Sequence, residues 1–343
     1  MPMQSSYSDF FKRTLIVVAV IATPILIWYL FGVVLMAFGA IILAMLLRMV
    51  AQPLMSRLSV PEPIALIVAG IVILAVLAGT GYLFGTRISG EFEDVLRRTA
   101  SATSAIEHSM QQTTFGNYLL RHLGGDNFSL TEMLPGVLKV STTFLEGVII
   151  MLICGAYLAA QPHLYRRGVI WLFPPSKHAR AAEIFDGIAE ALRLWLIGQL
   201  VEMFLIGALS MFVVWIIGVP SPAALGLIAG IGEFIPYLGP ILAAIPAVLV
   251  AITKSPETAL WTVLAYLVIH QVEGQIVTPL IQRHMVAIPP AVMLFGIVAI
   301  TYLFGAIAII FAAPIAVVVF AAVNLIYVRD TLGEKTTLTR KLG

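Results

Sequence analysis

Long apolar runs are the feature that most limits what this chain can fold into. Nine such runs, interrupted only by two glutamates, extend over Thr14–Phe31, Val33–Leu47, Ile64–Gly85, Val148–Ala160, Leu194–Gly218, Pro222–Ile252, Ala259–Ile269, Val286–Phe304 and Ala306–Val328. Since roughly 20 residues span the hydrocarbon core of a bilayer, most of these runs are candidate transmembrane helices. Only 11% of the 343 residues are charged, whereas a soluble domain carries about a quarter. The sequence therefore predicts an all-α polytopic membrane protein.

The first two runs are too long together for a single span, because one continuous helix would far exceed the roughly 30 Å core. We expect a hairpin at Gly32. No small-residue cleavage site separates the two runs, so the first is interpreted as a retained span and not as a removable signal peptide. The single cysteine, Cys154, excludes a disulfide framework and is expected to be a buried apolar side chain.

Basic residues predict the orientation of the spans. Clusters of lysine and arginine at the N-terminus, after the second run, in the segment 161–193 and at the C-terminus place these regions in the cytoplasm. The segment 87–141, with six acidic and five basic residues, is then an extramembrane helical insertion on the outer side. Ser129 and Glu132 have the spacing of a capping box within it.

A cytoplasmic C-terminus requires one of the last four apolar segments not to cross the membrane. The best candidate is 222–252, which is too long for one span and too short for two. If it crosses, 286–304 must be re-entrant instead. Both alternatives give eight crossings. The expected regions are a three-span part (1–86), the insertion (87–141), spans four and five (142–218), a C-terminal membrane region (219–328) and a cytoplasmic tail (329–343).

The stretch GEFIPYLGP, residues 232–240, interrupts the predicted re-entrant segment. Pro236 and Pro240 remove two backbone donors and Gly239 loosens the chain, so nearby carbonyls should lose their helical partners. Unpaired backbone at membrane depth survives only when it is packed in protein or lines a wet cavity, as in transporters with broken helices. Glu233 and Tyr237 are four residues apart and would share a face of the break. A proline-kinked hairpin with a snorkelling or paired Glu233 is the alternative.

Two further polar groups lie in or beside apolar runs. The first surrounds Glu273 and includes His270, Gln271 and Gln275, while the second consists of Gln199 and Glu202. Charged side chains at membrane depth normally face a protein interior, so Glu202, Glu233 and Glu273 suggest a shared polar interior. Each could instead form an interhelical hydrogen bond. His270 and His284 lack metal-ligand spacing, and no metal or cofactor is expected.

Serine before proline marks two helix starts, at Ser221-Pro222 and at Ser255-Pro256. Each serine is predicted to cap its helix N-terminus, since proline is favoured at the first helical position and serine immediately before it.

Prolines, glycines and polar residues of the C-terminal half form one pattern, which consists of Ile235, Pro236, Tyr237, Gly239, Pro240, Pro246, Gln271, Glu273, Gly274, Pro279, Pro290, Gly305 and Pro314, together with Gly198 and Gln199. This pattern resembles the AI-2E family of bacterial transporters. The resemblance implies a multi-span permease of the bacterial inner membrane, with an extramembrane helical insertion and a homo-oligomeric assembly such as a pentamer. The chain departs from the pattern at Gln275, Pro289 and Ala308, where asparagine, histidine and glycine are common. Without that histidine, no proton-coupling role is expected at position 289.

The leading functional hypothesis is a transporter that exports a small polar solute, autoinducer-2 or a related metabolite. The alternative is a monovalent cation/proton antiporter, and a membrane scaffold is a third possibility. No phosphate-binding loop, nucleophile–base pair or nucleic-acid signal is present, so the chain is not expected to be an enzyme. The residues predicted to form the substrate path are Gln199, Glu202, Glu233, Pro236, Tyr237, Gly239, Pro240, His270, Gln271, Glu273 and Gln275.

Overall fold

The computed structural model describes residues 14, 30–75, 94–95, 97–99, 101, 142–282, 288–305 and 308–329, and the regular elements of these ranges are helical. The helices are α1 (Phe31–Leu58), α2 (Glu62–Ala75), α3 (Thr142–Ala160), α4 (Pro162–Ile170), α5 (His178–Ile217), α6 (Pro222–Gly232), α7 (Leu238–Lys254), α8 (Pro256–Val272), α9 (Thr278–Gln282), α10 (Pro290–Phe304) and α11 (Ile309–Val323). The all-α prediction is confirmed.

The number of membrane-capable helices is smaller in these ranges than the eight crossings expected. Four continuous helical segments are long and apolar enough to cross a bilayer, and α3 with α4 makes a fifth if this bent pair is one span. Residues 15–29 of the first apolar run, residues 76–85 of the third, most of the 87–141 insertion with Ser129 and Glu132, Arg283, His284 and the tail after residue 329 lie outside the described residues.

Helices α1 and α3 pack side by side and run in the same direction. Gly39 of α1 lies against Met151 of α3, and eight or nine residues further on Arg48 Nε donates a hydrogen bond to the carbonyl oxygen of Ala159 at 2.8 Å. A parallel pair is the arrangement expected if both helices cross the membrane in the same direction. The outer face of α3 exposes Cys154, so the prediction that this cysteine is buried is wrong.

Helix α4 bends away from α3 by 87° and packs against the start of α5. Arg166 of α4 forms two hydrogen bonds to Asp186, at 2.7 and 2.6 Å. Glu183, one turn earlier on α5, pairs with Arg329 at 2.8 Å, just beyond the last described helical turn. The first third of the 40-residue α5 therefore carries ion pairs, whereas its remainder is the apolar run.

Helices α6 and α7 form the predicted hairpin. Gly232, at the end of α6, contacts Gly239, at the start of α7, and Leu225, near the start of α6, shares a buried cluster with Val250, near the end of α7, so the two helices are antiparallel. Lys254 Nζ also donates to the carbonyl oxygen of Gly218 at 2.6 Å. Both ends of the hairpin consequently lie at one level, beside the C-terminus of α5. We name residues 233–237, between the two helices, the hairpin tip.

Glycines allow α6 to approach α5 at backbone distance. A Cβ added at Gly226 would lie 2.8 Å from the carbonyl oxygen of Gly207, and one at Gly230 would lie 2.8 Å from that of Met203. Gly226 and Gly230 form a GxxxG spacing, which permits close helix packing in membranes. This contact fixes the hairpin tip beside the middle of α5.

The two predicted serine caps differ in the structure. Ser255 accepts a hydrogen bond from the backbone N–H of Thr258 at 3.0 Å, so this cap is confirmed. Ser221 makes no capping hydrogen bond and adopts a left-handed backbone with φ 59°, so the predicted cap is wrong. Pro222 nevertheless begins α6, since its fixed φ suits the first helical position.

The remaining helices pack against the other half of α5. Buried residues of α5, α10 and α11, including Trp195, Leu196, Ile297, Ala313 and Val317, form one apolar cluster. The hairpin thus covers the C-terminal half of α5, and α11 covers the preceding half. The hairpin tip is placed where these two regions of the protein meet.

Candidate functional site

The hairpin tip breaks the helix where the sequence predicted it. Helix α6 ends at Gly232, α7 begins at Leu238, and Tyr237 between them has φ 67°. Left-handed backbone is uncommon for tyrosine and is typical of strained functional segments. Gly239 lies directly against the carbonyl group of Gly232, so a side chain at this position would overlap the backbone.

The carbonyl oxygens of Gly232 and Glu233 lose their helical partners, as predicted, but neither is left unpaired. Gly232 O accepts from Ile235 N at 3.0 Å, and Ile235 O accepts from Gly239 N at 2.8 Å. Glu233 O accepts from the buried side-chain amide of Gln199, Nε2, at 2.7 Å. This last bond joins positions 34 residues apart and ties the tip to α5.

A cavity of about 70 Å³ lies beside the hairpin tip, and we name it the acidic cavity. Six of the predicted path residues line it: Gln199, Glu202, Glu233, Pro236, Tyr237 and Glu273. Glu233 is 2% exposed and Glu273 is 7% exposed. These six residues, which were predicted from the sequence, come from α5, the hairpin tip and the turn after α8, and the fold brings them together around one cavity.

The carboxyl groups of Glu233 and Glu273 face each other in this cavity, within reach of a side-chain hydrogen bond between them. The Oε2 atoms of both groups are buried. His270 Nδ1 lies 3.4 Å from Glu273 Oε2. Two carboxyl groups can share a hydrogen bond only when one of them carries a proton, because an ionised carboxylate only accepts.

The acidic cavity lies inside the apolar part of α5. Glu202 is nine residues beyond Arg193, the preceding charged residue of that helix, or about 13.5 Å at 1.5 Å per residue. Gly218, at the level of Lys254, is sixteen residues further, or about 24 Å. The carboxylates are thus distant from both charged ends of the helix.

Other predicted residues lie elsewhere. Gln271 and Gln275 are exposed and do not line the acidic cavity, and His270 is about half exposed. The backbone forms a π-helical turn over Glu273–Val277, directly after α8. The extra residue in such a turn changes which side chains share a face. Pro240 lines a different cavity, and Gly239 contributes through its close backbone contact.

Four residues that the sequence analysis did not select for the path complete the wall. Trp195, Thr278, Ile288 and Met293 line the cavity beside the glutamates. The Trp195 ring also meets Phe234 of the hairpin tip edge to face, with the centroids 6.1 Å apart. Trp195 lies four residues before Gln199 on α5, and this helical spacing was the available signal.

The arrangement can hydrogen-bond a polar solute or provide oxygen ligands to a cation. The side chains include three carboxylates, the amide of Gln199 and the phenol of Tyr237. Within the part of the chain that the structure describes, no group of three or more His, Cys, Asp or Glu side chains has an arrangement suited to a metal ion.

Comparison with known proteins gives one family for nearly the whole chain. The family model described as AI-2E family transporter matches residues 15–327. YrrI of Bacillus subtilis (strain 168) is 30% identical over 143 residues, which are 42% of this chain and 40% of YrrI. YueF of the same organism is 24% identical over 264 residues, covering 71% of this chain and 72% of YueF. Both are named for a transport role, without a substrate.

Proposed function

The chain belongs to the AI-2E transporter family, and from this premise we propose that it exports a small polar solute through a path that includes the acidic cavity. Autoinducer-2 or a related metabolite is the proposed solute class. Such a molecule is compact and rich in hydroxyl groups, so it would exchange hydrogen bonds with Gln199, Tyr237 and the carboxylates.

One observation carries this proposal: the buried carboxyl groups of Glu233 and Glu273 face each other in a cavity at a helix break. A carboxylate accepts hydrogen bonds, so a hydroxyl group of a passing solute could donate to Glu233 Oε2 or Glu273 Oε2. Transporters bind substrates at similar breaks between half-helices.

A monovalent cation/proton antiporter is the second candidate, and the presence of three glutamates in one cavity favours it. Glu233 and Glu273 could bind a sodium or lithium ion in one state and carry a proton in the other. Carboxylate oxygens suit such hard cations. A neutral solute and a cation would both pass through the acidic cavity. The exporter and the antiporter therefore differ in the substrate that they carry and not in the position of the site.

The proposed setting is the bacterial inner membrane, with cytoplasmic termini and a homo-oligomeric assembly such as a pentamer. Large apolar side chains are exposed on many helices of the single chain, among them Phe204, Trp215, Leu267 and Phe295. Lipid and neighbouring subunits are the partners that would cover such surfaces in a membrane. No enzymatic activity is proposed.

Reconstitution into liposomes tests these functions in parallel. Labelled autoinducer-2 is loaded inside and its efflux followed, while sodium-dependent proton movement is recorded with a pH-sensitive dye in matched vesicles. We expect solute efflux above that of protein-free vesicles. Sodium-dependent proton movement without solute efflux would replace the exporter with the antiporter.

A further inference from the structure

A larger cavity lies far from the hairpin, between the end of α4, the start of α5 and the turn that follows α11. Its volume is about 400 Å³, within the roughly 300–1,000 Å³ of small-molecule sites. We name it the interfacial cavity. Lys177 and Arg180 are the only charged side chains among the described residues that line it, and its other walls are apolar, with Ile170, Phe185 and Ile326 from the three elements.

Three features place the interfacial cavity at the membrane surface. The apolar run that contains α11 ends at Val328, and the next residue, Arg329, pairs with Glu183 of α5 at 2.8 Å. Helix α4 turns by 87° from α3, so it lies along the membrane surface if α3 crosses the bilayer. Trp171, directly after α4, is 71% exposed, and tryptophan is enriched at membrane–water interfaces. The cavity therefore lies where lipid headgroups meet acyl chains.

Apolar side chains continue from the cavity to the protein surface. Phe173 lines the cavity and is itself exposed, so the cavity reaches the surface beside it. Leu172, the preceding residue, is 83% exposed, and Tyr327, which follows Ile326 of the cavity wall, is also exposed. Apolar surface of this extent is unfavourable in water and favourable against acyl chains.

The two cations of the cavity differ in their partners. Arg180 donates to the carbonyl oxygen of Leu325 at 2.9 Å and pairs with Glu183 at 2.5 Å, so its guanidinium group is held at the wall. Lys177 forms no ion pair with any residue that the structure describes. Because no acidic side chain stands among the described lining residues, an anion in the cavity would meet positive charge.

We propose that the interfacial cavity binds an anionic phospholipid of the cytoplasmic leaflet, with an acyl chain against the apolar walls and the phosphate group beside Lys177 and Arg180. Basic pockets between transmembrane helices on the cytoplasmic side suit anionic headgroups. The position agrees with the orientation that the basic residues of 161–193 predict. Such a lipid would connect α4, α5 and the turn after α11, and this inference does not depend on the proposed export function.

Thermal melting of the full chain in a neutral detergent tests the proposed lipid. The protein is titrated with phosphatidylglycerol, which is anionic, or with phosphatidylcholine of the same acyl chains, which is zwitterionic. A ligand that binds only the folded state raises the melting temperature. We expect phosphatidylglycerol to raise it, and neither phosphatidylcholine nor inorganic phosphate to do so, because the first lacks the net charge and the second lacks the acyl chain.

Three variants locate the lipid. Lys177→Gln keeps the length of the side chain and removes its charge, so the apparent affinity for phosphatidylglycerol should fall roughly five-fold, the contribution of one basic residue near an anionic surface. The matched control is Arg167→Gln, at an exposed basic residue of α4 outside the cavity lining, which should keep the wild-type affinity. Ala181→Phe fills the cavity and leaves both cations in place, so phosphatidylglycerol should no longer raise its melting temperature.

Several results would overturn the inference. An equal response to both lipids would remove the role of charge, and an equal loss of affinity in Lys177→Gln and Arg167→Gln would mean general attraction to a basic surface. Wild-type binding of phosphatidylglycerol by Ala181→Phe would place the acyl chain elsewhere, and this variant keeps the test decisive if Lys177→Gln does not fold. Native mass spectrometry counts the subunits, and a smaller assembly of Ala181→Phe with no lipid bound to the wild type would assign the cavity to a second copy of the chain.

Discussion

Replacing Gly239 with alanine perturbs the hairpin tip at its tightest contact. The new Cβ would overlap the carbonyl group of Gly232 and lie 2.9 Å from Glu233 N. These atoms belong to the backbone and cannot move aside as a flexible side chain would. The hairpin arms must therefore separate at the tip, which displaces Glu233 and weakens its bond to Gln199.

Overpacking of this kind typically costs 1–3 kcal/mol. The matched control is Gly274→Ala, because a Cβ there has no neighbour within 4 Å. Thermal melting in detergent and efflux from liposomes are measured for both variants. We expect Gly239→Ala to insert but to melt earlier and lose transport, while Gly274→Ala resembles the wild type. Full transport by Gly239→Ala would refute the role of the tip geometry.

Three further predictions concern packing and topology. Gln199→Leu leaves Glu233 O without its buried donor, so the free energy of unfolding should fall by about 1–3 kcal/mol; an unchanged melting temperature would contradict this. Gly226→Ala should destabilise the contact between α5 and α6 by a similar 1–3 kcal/mol, whereas Gly168→Ala, at an open position, should not; equal stability of the two would be the contrary result. A cysteine at Ala181 should resist an impermeant thiol reagent added outside the cell, and its labelling from that side would invert the proposed orientation.

The helix break was predictable because its cause is local. Pro236 lacks a backbone donor, and Gly239 permits a contact that a side chain would block. Residues 232–240 are therefore sufficient to predict that the helix is interrupted there. Glu233 was also predictable, since a carboxylate within an apolar run must face protein or water.

The partners of these residues were not predictable from local sequence. The bond from Gln199 to Glu233 O joins positions 34 residues apart, and only the packing of the hairpin on α5 brings them together. The prediction that Cys154 is buried was wrong because, in a run of apolar residues, the sequence does not indicate which helix face is buried. Gln275 was expected in the path, but the π-helical turn after α8 changes the face on which it lies.

Neutralising the glutamates of the acidic cavity tests the central claim most directly. Glu233→Gln and Glu273→Gln keep the size of the side chain and one acceptor oxygen, so an exporter of a neutral solute should lose only about one hydrogen bond. We predict a roughly two- to twelve-fold lower apparent affinity for labelled autoinducer-2 in liposomes, with no sodium-dependent proton movement in any variant. Sodium-dependent proton movement in the wild type that disappears in both variants, or complete loss of solute efflux in a correctly folded Glu273→Gln, would contradict the neutral-solute account.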